Sequence, residues 1–153
     1  MAPAPPDPIE AFITRWGATW GAERGNSQGF LSELCDLLGV ERPAPATGRG
    51  GDYRFERPVT HYEPDGTDRK RFIDLYRRGR FVLEAKQGTA APQPTLFPAS
   101  ETDRRATIRR SPGWAQAMLK ARGQAEGYAR DLPADEGYPP FLIVCDIGFC
   151  FDL

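Results

Sequence analysis

Histidine is almost missing from this chain: His61 is the only one in 153 residues. That excludes a Ser-His-Asp triad unless His61 is its base, and it removes the usual ligands of a zinc site. Cysteine is scarce too. Cys35, Cys145 and Cys150 are odd in number, and no spacing among them resembles a metal knuckle. Cys35 falls in an apolar helix pattern and Cys145 in an apolar strand pattern, so reduced core cysteines of a cytoplasmic protein are the expectation. No apolar run approaches the length that spans a bilayer. The start, "MAPAPPDPIEAF", lacks the basic and apolar regions of a secretory signal. Excess charge of either sign is also absent. Twenty basic and twenty-one acidic residues leave a formal net charge of -1, which weighs against a dedicated high-affinity DNA binder.

What is present is an ordinary globular composition, 40% hydrophobic and 27% charged, in a chain long enough for one domain with a real core. Residues 1–8 read as a flexible proline-rich lead and 9–153 as the domain. Pro8 to Leu38 reads as helix in two pieces, broken near Gly17 to Gly21. Phe30, Leu31, Leu34, Leu37 and Leu38 recur at helical spacing, with Gly39 as the stop. On the same wheel Glu23 and Ser27 share that apolar face, so Glu23 is aimed inward. Asp52 to Tyr62 has a strand pattern, and Pro58 within it predicts an edge strand or a bulge. Lys70 to Arg77 and Arg80 to Gln87 form a hairpin turning at Gly79. Residues 88–112 have no periodicity and three prolines, the mark of a long loop or excursion. Gly113 to Asp131 reads as a helix. "PPFLIVCDIGFCFDL" opens with a continuous apolar run suited to a strand buried on both faces. The expected order is helix, three strands, helix, strand: an α/β core with a mixed sheet flanked by helices. Leu153 follows directly on a strand pattern, as at the edge of a piece of a larger protein.

The hairpin "IDLYRRGRFVLEAKQG" carries the unusual charges. Alternation puts Val82, Glu84 and Lys86 on one face and Phe81, Leu83 and Ala85 on the other. Asp74 lies on the preceding strand. A plain two-residue turn at Arg78-Gly79 does not set Asp74 opposite Glu84, so the strands are expected to bulge or part near Asp74. Two carboxylates repel unless a cation lies between them, and carboxylate oxygens suit Mg²⁺, which also takes substrate phosphate. A lysine beside them could offset charge building on a phosphate. On spacing alone, a solvated hairpin with cross-strand ion pairs accounts for these residues equally well. Two arginine-rich clusters stand near: Arg69, Lys70, Arg71, Arg77, Arg78 and Arg80, then Arg104, Arg105, Arg109 and Arg110. They read either as phosphate contacts or as solvated surface.

"IDLYRRGRFVLEAKQ" resembles the PD-(D/E)xK nuclease motif, with Asp74 as the first acid and Glu84-Ala85-Lys86 as the ExK element. Ile73 stands where the motif has proline. Gln124 and Tyr128 in "GQAEGYA" resemble the QxxxY motif on the helix after the core in one branch of these nucleases, and a spacing of four puts both on one helical face. "GAERGNSQGFLSELCDLLGV", "FIDLYRRGRFVLEAKQG", "GWAQAMLKARGQAEGYARDLP" and "YPPFLIVCDIG" together are similar to the amino-terminal region of MmeI-like restriction–modification enzymes. The resemblance runs from about Phe12 onward.

This resemblance implies a PD-(D/E)xK restriction-endonuclease-like core that hydrolyses DNA phosphodiester bonds. Asp74, Glu84 and Lys86 would be catalytic. Asp74, Glu84 and the backbone carbonyl of Ala85 would hold Mg²⁺, with Mn²⁺ able to substitute and Glu23 as an additional candidate ligand. Gln124 and Tyr128 would support the site or the DNA backbone. The implied partners are double-stranded DNA, fused methyltransferase and target-recognition domains, and a second copy in transient association for double-strand cutting. S-adenosylmethionine would belong only to the methyltransferase part. This sequence has no glycine-rich methyl-donor loop and no NPPY-type motif. The competing reading is a catalytically silent nuclease-like module that docks DNA or protein in a phage-defence methyltransferase.

Overall fold

The computed structural model describes residues 7–19, 23–46, 51–88 and 108–153, apart from the side chains of residues 23 and 24. Most of the expected lead over 1–8 and of the excursion over 88–112 lies outside the described residues, as do Arg104 and Arg105. The elements are α1 (Pro8–Gly17), α2 (Glu23–Leu38), β1 (Tyr53–Tyr62), β2 (Asp68–Arg77), β3 (Phe81–Lys86), α3 (Pro112–Asp131), β4 (Phe141–Asp146) and β5 (Cys150–Asp152). The strands form one sheet in the order β1-β2-β3-β4-β5. Pairing is antiparallel except between β3 and β4, which run parallel. A parallel neighbour requires a crossover, and α3 lies within it.

The helices start where the local chemistry predicts. The Asp7 carboxylate accepts from the Ile9 and Glu10 amides, and Pro8 opens α1. Ser111 caps α3 by accepting from the Trp114 amide, again with proline next. Asp7 and Pro8 thus belong to a helix start rather than to the lead. Gly39 at φ +66° ends α2, and the Val40 amide reaches back to the Cys35 carbonyl.

One face of the sheet packs Phe55, Leu75, Leu83, Ala85, Cys145 and Ile147 against Phe30 and Leu31 of α2. The other packs Val59, Ile73, Tyr76 and Val82 against Ala125 and Tyr128 of α3. The expected α2 face is displaced by part of a turn: Leu38 is exposed, and Cys35 is buried in its stead. β1 is the edge strand that Pro58 predicted. The expected single last strand is two strands, because Gly148 at φ +73° reverses the chain between β4 and β5.

A candidate nuclease site where the strands part

The β2–β3 ladder runs Arg77↔Phe81, Tyr76↔Val82 and Leu75↔Leu83, and stops there. The hairpin turn spans three residues, Arg78 to Arg80, with Gly79 at φ +64° and the Arg80 amide bonded to the Arg77 carbonyl. The two-residue turn read from sequence was too short by one. In the observed register Asp74 is the next position opposite Glu84, and there the pairing gives out. On the other side of β2 the β1 ladder also omits a single position, Glu56 against Asp74, and Glu56 sits at φ +49°. Both strands turn over at this point. Leu75 packs toward α2 while Ile73 packs toward α3, and Phe55 and Val59 divide in the same way. Regular alternation would keep each pair on one face. The expected parting of the strands at Asp74 is therefore present.

The parting lets Asp74 turn its carboxylate across the gap. Its Oδ2 accepts the Ala85 amide at 2.7 Å. Glu84 is 4% exposed and Ala85 1%. Lys86 donates to Glu84 Oε1 at 2.8 Å, with the ammonium reaching partial exposure. Glu84 and Lys86 share the α3 face with Val82, as alternation required. Burying a carboxylate at this depth is costly without a cation or hydrogen bonds, and Lys86 supplies both.

Tyr128 closes the site from α3. Burial pushes its phenol above the ordinary range, and the nearby Glu84 carboxylate adds to the effect. Asp74, Lys86 and Arg71 also act on it electrostatically, so all of these groups occupy one corner. Gln124, one turn earlier, is half-buried. The Glu23 side chain lies outside the described residues, but α2 starts close by: Asn26 donates to Gln87 Oε1 at 3.0 Å, one residue past Lys86.

A neighbouring group escaped the sequence reading. Asp146 is fully buried at the end of β4, in register with Lys86. It accepts from the Gly88 amide at 3.0 Å, from Trp114 Nε1 at 2.7 Å and from Arg109 at 3.2 Å. Arg109 also donates to the Ile147 carbonyl, whose own amide bonds the Lys86 carbonyl. The signal was an acid closing the apolar run "FLIVCD". Arg109, which the sequence offered as phosphate contact or solvated surface, is instead a buried partner of Asp146.

The donor set suits a hard cation. Asp74, Glu84 and the Ala85 carbonyl are all oxygen donors, and Mg²⁺ is commonly held by one or two carboxylates with waters and substrate oxygens completing the shell. Among the described residues no cluster of three or more His, Cys, Asp or Glu side chains could hold a metal. A metal here would rest on two carboxylates and backbone.

The fold defines an α/β protein with a mixed five-stranded sheet, an arrangement consistent with a PD-(D/E)xK-like core. The family model "MmeI, N-terminal domain" matches residues 6–148, and the chain belongs to that family. No curated protein and no solved structure matches. No helix among the described residues is long and apolar enough to cross a membrane.

Proposed function

We propose that this region is the Mg²⁺-dependent DNA endonuclease part of a restriction–modification enzyme. The observation that carries the reading is the convergence of Asp74, Glu84, Lys86 and Tyr128 where the β2–β3 ladder ends. Its support from kinship is the family match, together with the ExK and QxxxY spacings.

In this reading Asp74 and Glu84, with the Ala85 carbonyl, hold the ion. The Ala85 amide fixes the Asp74 carboxylate at one edge of the strand gap. Lys86 neutralises Glu84 in the resting protein and places its ammonium beside the phosphate once DNA is bound, where negative charge builds. When bound, Mg²⁺ adds Lewis-acid polarisation of the phosphate and activation of water. Cutting is directed by methyltransferase and target-recognition domains fused to this region, since phosphate contacts position but do not specify. Mn²⁺ should substitute for Mg²⁺.

A specific observation favours a second reading. The Lys86–Glu84 ion pair and the Asp74–Ala85 bond engage one oxygen of each carboxylate without a metal, as a silent DNA-docking module would require. Calorimetric titration of Mg²⁺ in the presence of a short duplex separates the two. The nuclease reading expects binding heat that Asp74→Asn abolishes. No metal-dependent heat with the parent protein would favour the silent module.

A further inference from the structure

Arg71 precedes Asp74 by three residues on β2, and its side chain reaches toward α3. Its guanidinium lies over the Tyr128 ring, 4.6 Å from the centroid, the same phenol that feels Glu84, Asp74 and Lys86. Gly127 makes room for it. A Cβ at that position would stand 3.2 Å from an Arg71 terminal nitrogen. Asp131 faces the guanidinium at 3.5 Å, a loose ion pair. The carboxylate is itself fixed from the far side by His61, whose Nδ1 lies 2.9 Å from Oδ1 and 3.0 Å from Oδ2. Among the described residues Arg71 makes no side-chain hydrogen bond. Its side chain is 28% exposed, so solvent reaches it.

The charge balance gives this arrangement a purpose. Before a metal binds, Asp74, Glu84 and Lys86 sum to minus one, which repels an incoming phosphodiester. Arginine presents a planar fork matched to phosphate oxygens, and stacking on an aromatic ring orients that plane. We propose that Arg71, laid over Tyr128 and tethered to Asp131, is a positioning residue that grips a DNA-backbone phosphate at the mouth of the Asp74–Glu84–Lys86 corner. Asp131 holds the guanidinium in place before DNA arrives and competes with the phosphate for it afterwards. The assignment rests on the nuclease reading of that corner.

The test is fluorescence anisotropy of the complete protein that carries this region, titrated onto a labelled duplex in EDTA so that no strand is cut. The titration is repeated between 50 and 200 mM salt for the parent, Arg71→Ala, Arg71→Lys and Asp131→Asn. One lost phosphate contact removes about 0.9 from the slope of log affinity against log salt, or about eightfold in affinity at 0.1 M. Arg71→Ala should show that loss, and Arg71→Lys should recover the slope. Asp131→Asn keeps an acceptor for His61 but frees the guanidinium, and should bind more tightly than the parent. A role confined to packing Tyr128 would lower the melting temperature of Arg71→Ala and leave the slope unchanged. An unchanged slope, or weaker binding by Asp131→Asn, overturns the assignment. If Arg71→Ala fails to fold, the sign of the Asp131→Asn effect decides. Cleavage in Mg²⁺ is scored separately. Dependence on Lys86 with unmoved salt slopes removes the Arg71 assignment alone, whereas cutting that ignores Lys86 removes the nuclease reading and this inference with it.

Discussion

At the scale of single residues, the buried charges divide into those that serve the corner and those that hold it. Asp146 belongs to the second kind. It is fully buried and anchors Gly88, Arg109 and Trp114, and the chain beside it fixes the Lys86 carbonyl. Removing one partner of a buried ion pair leaves the other uncompensated. Asp146→Ala should therefore cost about 3–5 kcal/mol, read as a lowered denaturation midpoint. A cost within about 0.5 kcal/mol, ordinary for a surface change, would show that the network carries no stability. Asp146 was marked in the sequence only as an acid closing an apolar run, and its role stayed hidden because its partners, Arg109 and Trp114, lie far from it along the chain. The shared face of Glu84 and Lys86 was legible because alternation along a strand is local, whereas Asp74 was joined to them by the resemblance to the nuclease motif, and the length of the turn between the strands was misjudged.

At the scale of elements, α1 docks through Phe12 and Trp16 on the core and through one close backbone approach at Gly148. Gly148 reverses the chain between β4 and β5 at φ +73°, and a Cβ there would stand 2.1 Å from the Trp16 carbonyl oxygen. Gly66 is its natural control, with φ +83° and nothing within 4 Å of an added Cβ. Gly66→Ala carries only the left-handed backbone penalty, about 1 kcal/mol. Gly148→Ala adds a backbone clash that no side-chain rotation relieves, and should cost more than Gly66→Ala while shifting tryptophan fluorescence as α1 lifts. Equal melting temperatures for the two variants would show that α1 is not held this way. The two-helix start, the edge strand marked by Pro58 and the capped α3 could be read from local signals. The split of the last strand could not, because apolar residues resume after Asp146 and the chain reverses only through the left-handed Gly148. The turnover of β1 and β2 at Glu56 and Asp74 also hides from periodicity, since it is a property of the pair of strands.

At the scale of the whole molecule, the fold buries three phenols and two thiols enough to make it sensitive to alkali. Burial pushes the Cys145 and Cys150 thiols up, and likewise the Tyr53, Tyr76 and Tyr128 phenols. In the unfolded chain these groups ionise at their ordinary values, about 8.5 for thiols and 10 for phenols. Above that range the unfolded state holds fewer protons than the folded one, so stability falls as pH rises. Below it these groups contribute no pH dependence. The urea midpoint should hold between about pH 7 and 8 and decline from about pH 9 upward, and a midpoint constant to pH 10.5 would contradict this. The same compactness places two strands and α3 around one corner, with the Lys86–Glu84 pair within it. The most direct measurement is cleavage of duplex DNA by the complete protein in Mg²⁺, comparing Lys86→Ala with the parent. The account predicts that cutting falls by about 10²–10³-fold or more, as when a charge-stabilising donor is lost, while any methylation activity of the same protein persists. Equal cutting by the two proteins would contradict it.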